Sequence, residues 1–210
     1  MYFSDRLVEL RLQRVIMDHD STLADFLMRL ASSPALRDLK IISVKSFYDE
    51  PEANRRVFLP NLNSLLLEDL PFNTLKVVLC TTSPGTHCLT LFPNQKSKQI
   101  IFLGNPKPEA VGIGHLTTLL GSVPVDTLLI TGRVNEYGDR WTGDERWLSG
   151  AELHKLLISM PALKTFKIHT RLFACEEWQA MTRGENSQIP KLENLYFDRA
   201  FIKDKESSNL

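Results

Sequence analysis

The hydrophobic positions of this chain fall into a recurring phrase: a proline, an apolar residue two positions on, and two more at five and seven. It reads Pro34, Leu36, Leu39 and Ile41, then Pro60, Leu62, Leu65 and Leu67. It returns as Pro161, Leu163, Phe166 and Ile168, and as Pro190, Leu192, Leu195 and Phe197. Looser copies fill the gaps. Asp5 precedes Leu7, Leu10 and Leu12; Pro84 precedes Leu89 and Leu91, with Thr86 in the first apolar slot; Pro124 precedes Leu128 and Ile130, one residue short of the register. The anchors at 5, 34, 60, 84, 124, 161 and 190 are separated by 29, 26, 24, 40, 37 and 29 residues. Self-similarity on this scale marks stacked units, none of which can bury its own apolar face. Between 84 and 104 a second register competes, with Ile101 and Leu103 in place of Leu89 and Leu91.

The last two apolar positions of each phrase lie two apart, the period of a strand. A proline ahead of them suits a strand start, because it cannot donate to a ladder. Between the phrases the period changes to that of a helix. Leu23, Phe26, Leu27 and Leu30 lie on one helical face behind Thr22 and Asp25, which resemble a capping box. Leu116, Leu119, Leu120 and Val123 repeat the spacing. Ser149 and Glu152 form an S-x-x-E box ahead of Leu153, Leu156, Leu157 and Met160. Weaker helical segments follow Pro71 and surround Trp178. Strands alternating with helices imply a parallel sheet and an α/β fold. Residues 1–202 read as a single domain, and the polar residues 203–210 as a tail that frays. Three stretches interrupt the rhythm: the charged loop Ser46–Val57, the lysine-bearing turn Pro93–Gln99, and the long loop Gly132–Trp147.

Composition narrows the function classes. The 210 residues carry 25 basic and 25 acidic side chains, a balance that argues against a dedicated nucleic-acid binder. The longest apolar runs, such as Val77–Cys80 and Ile100–Leu103, are far too short to span a bilayer. The start of the chain has no basic segment followed by an apolar one. Cys80, Cys88 and Cys175 are odd in number and show no CxxC spacing, and no Asn-x-Ser/Thr site occurs. A reducing, intracellular compartment, cytoplasmic or nuclear, is the expectation.

The L-x-x-L-x-L core of Leu36-Leu39-Ile41, Leu62-Leu65-Leu67 and Leu192-Leu195-Phe197 resembles the leucine-rich repeat. With leading prolines and irregular unit lengths, residues 5–202 are similar to the carboxyl-terminal repeat region of fungal F-box proteins. The resemblance implies an irregular leucine-rich-repeat-like solenoid, with parallel strands on one side and helices on the other. It implies a non-catalytic region that captures a protein target for a ubiquitin ligase. No F-box-like helical segment precedes Asp5, so contact with a ligase adaptor is expected only if an F-box lies upstream. The family places Asn or Cys three residues after the strand. Here Val15, Val44, Leu70, Arg171 and Ala200 stand there, and Asn94 alone conforms. The turns behind the strands must therefore satisfy their backbone by other means.

If the phrase's last two apolar residues point inwards, alternation sends their neighbours to an open concave face. The expected protein-binding strip is Arg11, Lys40, Leu66, Thr90, Leu129, Lys167 and Tyr196, with His169 beside it. Solvated strand residues would look the same. A second candidate is the long loop, through Arg140, Trp141 and Trp147, residue types favoured at interface centres. The competing reading folds both tryptophans back onto the adjacent helix as a satellite core. Catalytic signals are poor. Gly112-Ile-Gly114 lacks a third glycine and the preceding strand of a dinucleotide site. His19, His87, His115, His154 and His169 show no metal-ligand spacing, so no metal or cofactor is implied. The alternative function is a small α/β enzyme with its site at the carboxyl ends of the strands. It would set His169 or Cys88 against an acidic residue in a closed polar cleft.

Overall fold

A computed structural model describes residues 4–49, 56–85, 87–131, 147–169, 172–174 and 189–203. Seven strands form one parallel sheet: β1 (Glu9–Gln13), β2 (Asp38–Ile42), β3 (Ser64–Glu68), β4 (Cys88–Phe92), β5 (Thr127–Thr131), β6 (Thr165–His169) and β7 (Asn194–Asp198). Their order across the sheet is their order along the chain, and the sheet is open, with β1 and β7 at its edges. Each strand starts four residues after its anchor, except β5, which starts three after Pro124.

The leading proline has a more specific role than avoiding the ladder. Leu36, Leu62 and Leu163 each donate a backbone N–H to the carbonyl three residues back, on Ser33, Leu59 and Met160. Pro34, Pro60 and Pro161 are therefore the second residue of a β-turn, where a fixed φ is favourable. Asp5 takes that place in the first unit, where Leu7 bonds Ser4. The turn delivers the chain into its strand with the next two phrase residues facing inwards. Leu39, Ile41, Leu65, Leu67, Leu89, Leu91, Leu128, Ile130, Phe166 and Ile168 are all buried. The edges differ: Leu10 and Leu12 are half-buried, while Leu195 and Phe197 stay 48% and 43% exposed.

Four helices among the described residues cover the inner face: α1 (Asp20–Arg29), α2 (Phe72–Thr81), α3 (Ile113–Gly121) and α4 (Gly150–Ile158). Neighbours pack in sequence, α1 on α2, α2 on α3 and α3 on α4. Leu23, Leu27, Leu75, Val78, Leu116, Leu120, Leu153 and Leu156 lose all contact with solvent. Each such side chain contributes about 1.5–3 kcal/mol. The capping box at Ser149 and Glu152 forms as the sequence predicts. At α1 the prediction is corrected. The helix opens at Asp20 behind His19, so Thr22 and Asp25 lie within it and cap nothing. The sheet takes Leu89 and Leu91 rather than Ile101 and Leu103. Gln99–Ile100 pairs instead with Glu109–Ala110 as a short antiparallel ladder, and Leu103 is exposed beside Gly104, whose φ is 76°. Lys203, read as the start of the tail, ends a short strand Phe201–Lys203 paired with Leu172–Ala174. Residues 204–210 lie outside the described residues.

The strands leave the sheet by a repeated device. Arg14, Ser43, Asp69 and Arg199 each follow a strand's last residue with a left-handed backbone, φ 50° to 55°. The N–H groups of Arg14, Ser43 and Asp69 bond the last carbonyl of the next strand, on Ile42, Glu68 and Phe92. The Asp69 carboxylate accepts from Ser43 Oγ at 2.6 Å, Asn94 Nδ2 at 2.5 Å and Lys96 Nζ at 2.6 Å. Behind these exits runs a buried polar ladder. Asp20 Oδ1 accepts from Ser46 Oγ and from Asn73 Nδ2, the latter at 2.9 Å. Asn73 also donates to the Ser46 carbonyl and accepts from the Ile101 N–H, while the Ser46 N–H bonds Thr74 Oγ1. Further on, Ser97 Oγ donates to the Leu70 carbonyl. These side chains satisfy the backbone where a regular asparagine ladder would otherwise do so.

Candidate binding face

Period-two alternation turns the middle residues of each strand away from the helices. Arg11, Lys40, Leu66 and Thr90 are Cα partners in succession across β1 to β4, as the strip requires. At the next junction the register steps. Thr90 pairs with Thr127, not with Leu129, and Leu129 continues through Lys167 to Tyr196. The single strip is corrected to two rows on one face, offset by two residues. The first runs Arg11, Lys40, Leu66, Thr90, Thr127; the second runs Ile42, Glu68, Phe92, Leu129, Lys167, Tyr196. Phe92 is the residue that the sequence pattern does not mark. It follows Thr90 by two and shares its phase, but it falls outside the proline-leucine phrase.

Charge is distributed unevenly over this face. β1 and β2 present Glu9, Arg11, Asp38 and Lys40, and Lys40 Nζ bonds Glu9 Oε1 at 2.6 Å. That hydrogen bond and charge hold the Glu9 carboxyl below its ordinary range. β3, β4 and β5 present Ser64, Leu66, Cys88, Thr90, Phe92, Thr127, Leu129 and Thr131, with Glu68 as their single charge. β6 and β7 return to charge with Lys167 and Asp198, and add His169.

A groove of about 290 Å³ lies at the carboxyl ends of β4 to β7. Phe92, Leu129, Thr131, Lys167, His169, Tyr196 and Asp198 line it. Two cross-strand pairs shape its far side. Lys167 Nζ stands 5.3 Å from the centre of the Tyr196 ring, a cation–π contact. His169 Nδ1 and Asp198 Oδ2 are 2.7 Å apart. His169 thus meets an acid, but in an open groove, and no Ser or Cys hydroxyl or thiol bonds it among the described residues. Cys88 is exposed at the start of β4. His87 lines a separate cavity of about 20 Å³ with Thr82 and Leu89.

Of the loop candidates, Arg140 and Trp141 lie outside the described residues. Trp147 packs half-buried against the core, and its carbonyl accepts from Lys98 Nζ at 3.3 Å. Lys98 also bonds Glu152 Oε1 at 2.7 Å, tying the turn after β4 to the start of α4. Among the described residues no group of His, Cys, Asp and Glu could hold a metal ion, and no helix is long and apolar enough to cross a membrane.

The fold is mixed α/β with an open, seven-stranded parallel sheet carrying one exposed face. The sequence matches no protein-family model and no curated protein.

Proposed function

We propose that this chain is a non-catalytic protein-binding module whose units stack as an irregular leucine-rich-repeat-like solenoid. Its role is similar to that of the substrate-recognition region of an F-box protein in a ubiquitin ligase. The observation that carries the reading is the charge pattern of the exposed sheet face. Leu66, Phe92 and Leu129 sit among threonines on the central strands, and the charged residues gather at the two ends. An apolar centre with a polar rim is the anatomy of a protein interface. Identical strand and chain order supports stacking of neighbours. The partner is a protein target; a ligase adaptor is a partner only if an F-box lies upstream, and neither nucleic acid nor membrane enters the reading. Leu66→Asp and Leu129→Asp test it, with Thr118→Asp on the exposed side of α3 as control. Affinity capture followed by mass spectrometry should lose the same proteins at least tenfold in both face variants and keep them in the control. Equal capture by all three variants would remove the reading.

The His169–Asp198 pair at the carboxyl ends of the strands favours a second reading, a small α/β hydrolase. Turnover of an activated ester by the purified chain, abolished by His169→Ala, would put it first.

A further inference from the structure

We propose that the groove at the carboxyl ends of β4 to β7 recognises a carboxylate held next to an apolar side chain on the bound protein. The inference rests on the reading of this face as a protein-binding surface and specifies what it binds.

The sheet face carries two lysines, Lys40 and Lys167. Lys40 is taken by Glu9 at 2.6 Å. Lys167 lies over the Tyr196 ring, and no carboxylate among the described residues reaches it. A ring face attracts a cation without neutralising it, so Lys167 keeps ammonium hydrogens for an incoming acceptor. The one carboxylate among the described lining residues, Asp198, is engaged by His169 Nδ1. With a proton on Nδ1, that bond fixes the orientation of the imidazole ring at the groove. Thr131, the Cα partner of His169 on the neighbouring strand, adds a hydroxyl.

Leu129 on β5 and Phe92 on β4 supply the apolar side of the groove. A volume of about 290 Å³ is at the small end for ligand sites, room for a few side chains and not for a large cofactor. An apolar side chain on Phe92 and Leu129 would leave its neighbouring carboxylate within reach of Lys167. A lysine or arginine in that place would meet the Lys167 ammonium, and Asp198 is already paired with His169 through Oδ2. A nucleic-acid backbone would need more cations than the one lysine among the described lining residues.

The test uses fluorescent eight-residue peptides in which a leucine stands one, two or three positions from an aspartate, an asparagine or a lysine. Binding to the full chain is read by polarisation. At the best spacing the aspartate peptide should bind about tenfold tighter than the asparagine one, the weight of one charge-assisted hydrogen bond. Lys167→Gln should erase that preference and Lys167→Arg should keep it, with circular dichroism confirming that both fold. If aspartate and asparagine peptides bind alike, or the preference survives in Lys167→Gln, carboxylate recognition is wrong. The same holds if no peptide binds at millimolar concentration. The wider reading is judged apart from this, by capture with Leu66→Asp and Leu129→Asp.

Discussion

Thr90 on β4 is the Cα partner of Thr127 on β5, two residues ahead of Leu129. That step moves Leu129 out of the row of Leu66 and into the row of Phe92, which creates the groove. The register is directly testable with engineered cysteine pairs in a background where Cys80, Cys88 and Cys175 are serine. Thr90→Cys with Thr127→Cys should oxidise to a disulfide, because paired Cα atoms lie within bridging range. Thr90→Cys with Leu129→Cys should not, since the second site is a further two residues along the strand. Gel mobility with and without reductant reads the result.

The strand exits hold strain that glycine would release. A left-handed backbone costs a residue with a Cβ roughly 1–2 kcal/mol, and glycine returns about 0.5–1 kcal/mol of that as unfolded-state entropy. Arg14→Gly is expected to stabilise the protein by up to about 1 kcal/mol in urea melts. Ser43→Gly should gain less, because it also loses the 2.6 Å bond to Asp69. Asp69→Ala should be the costliest of the three, since it leaves Ser43, Asn94 and Lys96 without their common acceptor.

Asp20 makes stability depend on pH in one direction. Burial pushes its carboxyl above the ordinary 3.8, hydrogen bonds from Ser46 and Asn73 oppose the rise, Asp49 adds to it and Lys76 opposes it. The folded chain therefore holds the proton more tightly than the unfolded one. Its contribution is present below about pH 4 and is lost as pH rises through the folded value. Asp20→Asn keeps an oxygen for Ser46 and Asn73 and removes the titration. It should be more stable than the parent at pH 7 and should lose the decline that begins just above pH 4. Asp20→Ala should instead cost about 1–3 kcal/mol by orphaning two buried donors.

His87 acts in the opposite sense. Burial lowers its pKa below the ordinary 6.5, with Asp126 partly offsetting the shift. The unfolded chain then binds this proton better, so stability falls as pH drops below about 6.5. His87→Gln should flatten that region of the profile. Thermal melts from pH 5 to 8 on the parent and the variant measure the difference.

The proline-leucine phrase made the strands legible because it combines two local constraints, a turn that wants a fixed φ at Pro34 and a two-residue period at Leu39 and Ile41. The helix faces were legible for the same kind of reason. What escaped depends on the connections. The step between Thr90 and Thr127 follows the long segment from Pro93 to Asp126, which shows no period outside α3. Phe92 was missed because it lies one residue past the phrase. The buried ladder was missed because Asp20, Ser46 and Asn73 sit at different distances from their strands, so no repeat marks them. The opening of α1 at Asp20 was obscured by a better-looking box two residues later.

The junction between β4 and β5 has a mechanical consequence. Elsewhere in the sheet each strand shares five paired positions with its neighbour, whereas these two share two. Fewer ladder bonds make this seam the easiest place for the sheet to separate. The units before it and after it would then behave as two cooperative blocks. A small relative rotation about the seam would widen or narrow the groove that Phe92 and Leu129 share, so the opening that admits a target and the line along which the molecule first yields would be the same.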